Sequence, residues 1–319
     1  MENMDIDKAI KKYLNNMTRT ESPASTITAY KTDFNLFKKY ITEEKNISNV
    51  EDIDDDDFLD YKDYLEQVKN FKSATVNRKL NALKSLFGYL HKLGIIRVNY
   101  MSVIPTKRPF QDQKKVEVLD SKEVEQIITL PNKIKDKNWK RSSAILYVLA
   151  FLGLRRSEVL ELRVKHLNMQ NRTLDVFRPK TRTFDALPLS DRTYIAIVNY
   201  LKERAEMNEE DYLFKGDKGG KLSETAFTEI IRRYAEESNI KKEITAYSFR
   251  HTFITNLLEE GVDQSLILKW TGHTDIRSLE VYAHSTVTIK NRIMQSSFQT
   301  HNKNQIEKFL DNLYNKTEE

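Results

Sequence analysis

The sequence predicts a mainly α-helical protein of two domains, an all-helical one followed by a mixed α+β one with a small β-hairpin sheet. Three observations predict this. Apolar residues recur at three- and four-residue intervals along most of the chain. Only two short runs, Leu174–Phe177 and Ala186–Leu189, read as strands. Between the two regions the stretch Pro105–Lys115 (PTKRPFQDQKK) is polar, carries two prolines and lacks periodicity, which is the composition of a linker. The expected divisions are 1–105, a linker over 106–116, a second domain over 117–290 and a tail over 291–319.

The elements follow in order. The first 24 residues are too few for a domain but suit a short helix through Ile6, Ile10, Tyr13 and Leu14. A helix starts near Ser25, with Ser25 or Thr26 as N-cap and Ile27, Tyr30, Phe34, Phe37 and Ile41 on one face. Asp55–Val68 forms a second, with Phe58, Tyr61, Tyr64, Leu65 and Val68 inward. Ser73–Leu93 forms a third, with Val76, Leu80, Leu83, Phe87 and Leu90 inward and Gly94 as its stop. The other face of this third helix carries Asn77, Arg78, Lys79, Asn81, Lys84 and Lys92.

In the second region Asp120 or Ser121 caps a helix through Val124, Ile127 and Ile128, and Trp139–Leu152 is a long apolar helix ending at Gly153. A short helix, Ser157–Leu162, precedes the hairpin, whose turn is the basic RPKTRTF. Helices then follow at about Thr193–Met207, Ser223–Ser238, Ser248–Glu260, Ser265–Trp270 and Ser278–Ala283. The tail, Asn304–Tyr314, is amphipathic through Ile306, Phe309, Leu310, Leu313 and Tyr314.

Composition narrows the function. The 319 residues are 39% hydrophobic and 31% charged, the balance of a soluble globular protein. With no cysteine, disulfides, thiolate zinc sites and a cysteine nucleophile are excluded. No stretch approaches a membrane span, so no membrane partner and a cytoplasmic location are expected. The net charge is only +5, yet its distribution is uneven. Gln67–Gln111 holds nine Lys or Arg and no acid, whereas Glu51–Glu66 holds nine acids against Lys62. Such segregation fits one face turned to a polyanion and another turned away, and two solvated faces fit it equally.

The residues that can carry chemistry lie after the linker. Arg155 stands in GLRRSEVLEL, Lys180 in the hairpin turn, Arg250 and His251 in AYSFRHTF, His273 in TGH and Tyr282 in EVYAH. Arginines hold a phosphate bidentately, a lysine protonates a leaving oxygen and a tyrosine attacks phosphorus, so this set suits phosphodiester cleavage without metal or nucleotide cofactor. Each residue alone has a plainer reading. Arg155 suits a helix cap, with Glu158 three residues on to orient it, and His273 suits a structural histidine. Arg250 sits at the start of its expected helix, where anions are favoured.

Taken together, GLRRSEVLEL, the hairpin lysine, FRHTFITNLLEEG, TGH and VYAH resemble the tyrosine recombinase (phage integrase) family, and the resemblance covers nearly the whole chain. It implies an N-terminal core-binding (SAM-like) helical domain and a catalytic domain that close as a two-domain clamp on DNA. It implies Arg155 and Arg250 as a phosphate clamp supported by Glu158, and Lys180 as the acid for the departing 5′ oxygen. His273 becomes a hydrogen-bonding or base residue, and Tyr282 the nucleophile of a 3′-phosphotyrosyl link. The implied partners are double-stranded DNA bearing a specific recombination site, three further copies in a tetramer on synapsed DNA from a monomer in solution, and accessory DNA-bending proteins. Lys72, Asn77, Arg78, Lys79, Asn81, Lys84, Lys107 and Arg108 are the expected DNA contacts. The amphipathic tail is expected to dock on a neighbouring protomer, or to pack on its own domain. No segment before Ser25 suits an arm-type DNA-binding domain.

Two departures stand out. Relatives usually carry histidine three residues before the second arginine, where this chain has Tyr247. A neutral tyrosine still donates a hydrogen bond to a phosphate but is a poor general base, so the proton of Tyr282 passes to His273 or to solvent. VNYMSV stands where relatives often have Asn-Pro, which alters a turn. Lys165 is an alternative acid that fits the hairpin slot less well. A type IB topoisomerase-like enzyme and a catalytically silent DNA-binding relative are the competing readings.

Overall fold

A computed structural model of the chain describes residues 3–106, 117–179, 181–204, 206–273, 276 and 278–279. The chain separates into two compact units, residues 1–114 and 115–319.

The N-terminal unit is helical throughout: α1 (Ile6–Arg19), α2 (Ala24–Glu43), α3 (Asp55–Asp63) and α4 (Ser73–Lys92). Asp5 caps α1 by accepting the Asp7 N–H at 2.8 Å. Pro23 precedes α2 and no side chain caps it, so Ser25 and Thr26 lie inside its first turn rather than at its cap. The acidic run has a local use. Asp54 accepts from the Asp57 N–H (3.1 Å) while Asp57 accepts from the Asp54 N–H (3.2 Å), and acids at a helix N-terminus are favoured by its dipole.

The expected Asp55–Val68 helix does not run through. It widens into a single π-turn at Tyr64–Val68, which shifts the register and turns Val68, expected inward, to 69% exposure. In α4 the expected apolar face is buried, and Phe87 packs edge-on against Phe58 at 4.8 Å between centroids.

Lys79 corrects the expected outer face of α4. It is buried, with its ammonium 2.8 Å from Asp33 on α2. Arg78 grips the same carboxylate with both terminal guanidinium nitrogens, the longer contact being 2.9 Å. The physical reason is charge compensation: Asp33 has no solvent exposure, and a buried carboxylate requires paired cations. Lys72 and Asn81 are exposed, Asn77 and Lys84 half-buried, and Lys107 and Arg108 lie outside the described residues.

The C-terminal unit comprises α5 (Ser121–Ile134), α6 (Trp139–Leu152), α7 (Arg156–Glu161), the strands β1 (Leu167–Asn168), β2 (Thr173–Arg178) and β3 (Thr183–Pro188), then α8 (Asp191–Leu201), α9 (Glu224–Glu237), α10 (Ala246–Glu259) and α11 (Gln264–Thr271). The strands form one antiparallel sheet in chain order, with Phe177 opposite Phe184 and Arg178 opposite Thr183. The strands are longer than expected, and the two-residue β1 is too short for alternation to reveal. α6 is buried on all sides and forms the spine of this core, in contact with α5, α8 and α10.

Two helices differ from expectation. α8 stops at Leu201 rather than Met207, where Arg204 turns back to pair with Asp211 at 2.9 Å. α10 starts at Ala246 rather than Ser248 because Thr245 and Ser248 form a reciprocal cap. Ala283 and most of the expected Ser278–Ala283 helix lie outside the described residues, as does the tail after 291.

Removing Asp33 strands the buried Lys79 ammonium. Asp33→Ala should therefore destabilise the N-terminal unit by about 3–5 kcal/mol, with most of it restored in Asp33→Ala/Lys79→Met, as read from urea unfolding. His251 on α10 is buried, bonded to Thr255 Oγ1 at 3.3 Å, and burial holds its pKa below the ordinary 6.5. The folded chain then binds fewer protons than the unfolded one, so this stability is full above pH 6.5 and is lost as pH falls through that value. The urea midpoint should drop on going below pH 6.5, and less steeply in His251→Gln.

Candidate active site

Two glycines set the backbone of the site. α6 ends at Gly153 in the left-handed region (φ 59°), and a Cβ there would come within 2.4 Å of Phe253 Cδ1. The tight turn that follows puts Arg155 at the N-cap of α7 and Glu158 one turn into it. α11 ends in the same way at Gly272 (φ 64°), whose Cβ would meet Arg178 Cδ at 2.9 Å and Arg155 Nη1 at 3.3 Å. His273 follows directly. β2 ends on Arg178, and α10 supplies Arg250 from its second turn rather than its first, because the helix begins two residues early.

These elements bring Arg155, Glu158, Arg250 and His273 together. Glu158, only 4% exposed, accepts the Arg155 backbone N–H through Oε2 (2.8 Å) and Arg155 Nη1 through Oε1 (2.9 Å). Arg155 Nη1 also donates to Thr271 O (3.0 Å) and Nη2 to Gly272 O (3.1 Å). Arg250 Nη1 donates to Gly153 O (2.8 Å) and Nη2 to Thr271 O (2.7 Å), with Nη1 4.0 Å from Glu158 Oε2. The last carbonyls of α11, its negative end, thus face both arginines. Arg155 remains the more accessible, its side chain 34% exposed against 4% for Arg250.

His273 has a definite hydrogen-bond polarity. A guanidinium only donates, so His273 Nε2 accepts from Arg250 Nη2 at 3.1 Å. Nδ1 lies 2.8 Å from Thr271 Oγ1, which itself donates to Ile267 O at 2.6 Å, so Nδ1 carries the proton. His251 is not part of the cluster. It sits in the core beneath Tyr247, which is 48% exposed on the first turn of α10 with its ring centroid 6.1 Å from the imidazole. Lys165, the alternative acid, pairs with Glu210 at 2.7 Å. Lys180 and Tyr282 lie outside the described residues.

The sequence reading missed Arg178, Asp185 and Thr271. Arg178 is buried, with Nη1 3.0 Å from Glu158 Oε1, Nε donating to Asp185 Oδ2 at 2.8 Å and Nη2 donating to Trp270 O. The signal was present in the alternation of β2, whose inward positions are Leu174, Val176 and Arg178, since an arginine continuing an apolar face is unusual. Beside the cluster opens a cavity of about 310 Å³, lined among others by Arg155, Thr181, Thr183, Lys269 and His273.

Comparison with known proteins agrees with this architecture. Residues 10–94 match the phage integrase N-terminal SAM-like domain. The tyrosine recombinase XerD of Oceanobacillus iheyensis is 30% identical over 222 residues, covering 67% of this chain and 72% of that protein. The tyrosine recombinase XerC of Natranaerobius thermophilus is 29% identical over 223 residues, covering 68% and 73%. Among solved structures, the Tn1549 transposon integrase in complex with a circular intermediate DNA has a TM-score of 0.74 at 20% identity, covering 92% of this chain and 99% of that one. XerH recombinase bound to a palindromic difH substrate in a post-cleavage complex has a TM-score of 0.69 at 22% identity, covering 92% and 83%. Residues 117–288, more than half of the chain and the part that holds the arginine cluster, match the phage integrase family, and to that family the chain belongs.

Proposed function

We propose that this chain is a site-specific DNA recombinase that cuts and rejoins strands through a 3′-phosphotyrosyl link to Tyr282. The observation that carries the reading is the meeting of Arg155 and Arg250 beside one buried carboxylate, with His273 bonded to Arg250, from three separate elements. Two guanidiniums held by fixed carbonyls are preorganised for the charge that grows on the non-bridging oxygens of a phosphate under attack.

In the cleavage step the Tyr282 oxygen forms a bond to phosphorus and the bond from phosphorus to the 5′ oxygen breaks. Lys180 gives a proton to that oxygen, which leaves as a 5′ hydroxyl, and the tyrosine proton passes to solvent, or to His273 Nε2 once that nitrogen releases Arg250. With Nε2 held by Arg250, His273 serves first as a hydrogen-bonding residue that fixes the second arginine. Tyr247 donates a hydrogen bond to a phosphate oxygen. The 5′ hydroxyl of a partner strand reverses the step, since the tyrosyl ester conserves the energy of the broken bond.

Residues 1–105 act as the core-binding domain, with Lys72, Asn77, Asn81 and Lys84 of α4 and its approach directed to DNA, and 117–290 as the catalytic domain joined through 106–116. Phosphate contacts of this kind set position and affinity, while the base edges read by the same helix set the site. The relatives solved on DNA support duplex recombination sites as the substrate. Exchange between two sites calls for four copies, and the tail over 291–319 is the segment proposed to link them.

Tyr282→Phe should form no covalent DNA adduct on a nicked target, whereas wild type should form it equally with and without EDTA. An adduct in the Tyr282→Phe protein would overturn the nucleophile. Truncation before Asn304 should leave single-site binding intact and reduce paired complexes in a gel-shift titration; unchanged pairing would remove the tail from assembly.

A further inference from the structure

We infer that Arg178 is a positioning residue for DNA cleavage: it takes up the charge of Glu158 so that Arg155 keeps its own for the scissile phosphate. The inference rests on the recombinase reading above and extends it to a residue outside the expected catalytic set.

Glu158 Oε1 lies between two guanidiniums, 2.9 Å from Arg155 Nη1 and 3.0 Å from Arg178 Nη1. Only the first is a hydrogen bond. The second is an ion pair without hydrogen-bond geometry, which leaves Arg178 Nη1 a buried donor with no acceptor. A buried donor in that state is costly, and its charge stands 3.0 Å from Glu158 Oε1, where the ion pair offsets part of that cost. Arg178 cannot turn elsewhere, because Asp185 and Trp270 O hold its other nitrogens and Gly272 packs against its Cδ and Nε.

Charge explains why this matters. Arg155, Arg178 and Arg250 face Glu158 and Asp185, three guanidiniums against two carboxylates, so the cluster itself carries one net positive charge, with Lys269 also at the cavity edge. Without Arg178 the cluster is neutral, and Glu158 has Arg155 as its one close partner at Oε1. Arg155 would then be spent on a protein carboxylate rather than on DNA. Arg178 itself is only 3% exposed and acts through Glu158, without touching the phosphate.

The test compares Arg178→Met, Arg178→Lys and wild type in single-turnover adduct formation. One nicked target carries a normal scissile phosphodiester, the other a methylphosphonate, in which a neutral methyl group replaces the charged non-bridging oxygen. On the phosphodiester Arg178→Met should lose about 10- to 100-fold in rate, the range carried by residues that orient others, with DNA affinity changed less than about threefold. On the methylphosphonate it should match wild type within about threefold, because the charged oxygen that Arg155 meets is replaced by a methyl group and the demand on its guanidinium falls. Arg178→Lys keeps the charge and should recover most of the phosphodiester loss. It also carries the comparison if the methionine variant fails to fold, its remaining loss then being confined to the phosphodiester. An equal loss on both substrates, or a full rate in Arg178→Met on the phosphodiester, would overturn the inference. Failure of wild type to form a Tyr282-dependent adduct on the phosphodiester would instead overturn the recombinase reading beneath it.

Discussion

One buried carboxylate organises the catalytic unit. Glu158 caps its own helix through the Arg155 N–H, binds the Arg155 side chain, and lies beside both Arg178 and Arg250. A lone carboxylate at this depth would be unaffordable in desolvation, and three buried or half-buried guanidiniums without it would repel one another. The carboxylate and the arginines therefore fold only as a set. That requirement draws α7, β2, α10 and the end of α11 to one point.

The end of α11 supplies the rest of the cage. Trp270, Thr271 and Gly272 present carbonyls to Arg178, to Arg155 and Arg250, and to Arg155 respectively. Carbonyls at a helix C-terminus have no intrahelical partner, so they accept from guanidiniums without giving up a bond elsewhere. Gly272 is what allows this approach, since a side chain there would strike Arg178 and Arg155. The same turn delivers His273 to Arg250. The geometry of the arginine cluster is thus largely backbone geometry: short turns at Gly153 and Gly272 fix where the charged groups meet.

The N-terminal unit solves a similar problem differently. Asp33 is buried between α2 and α4 and consumes Lys79 and part of Arg78, two cations that the pattern of α4 assigns to its outer face. The outer face of α4 is therefore less charged than its sequence suggests: the exposed Asn81 and Lys92, the half-buried Asn77 and Lys84 and the exposed part of Arg78 remain on it, with Lys72 exposed just before the helix. The acidic run likewise proves to be structural in part: Asp54 and Asp57 cap α3, and Asp57 and Asp60 pair with Lys45.

The sequence by itself determined the helical architecture, the position of the hairpin and the identities of Arg155, Glu158, Arg250 and His273 as members of one site. These were legible because periodicity and caps are local, and because the motifs have characteristic spacing. Tertiary structure alone decided which charges answer which. Glu158 serves three arginines, Arg178 turns inward as the last residue of β2, and Lys79 leaves the surface for Asp33. Apart from Arg155, which stands three residues before Glu158, no sequence window contains those pairings, because the partners lie 20 or more residues apart and burial, which makes pairing obligatory, is a property of the packed chain.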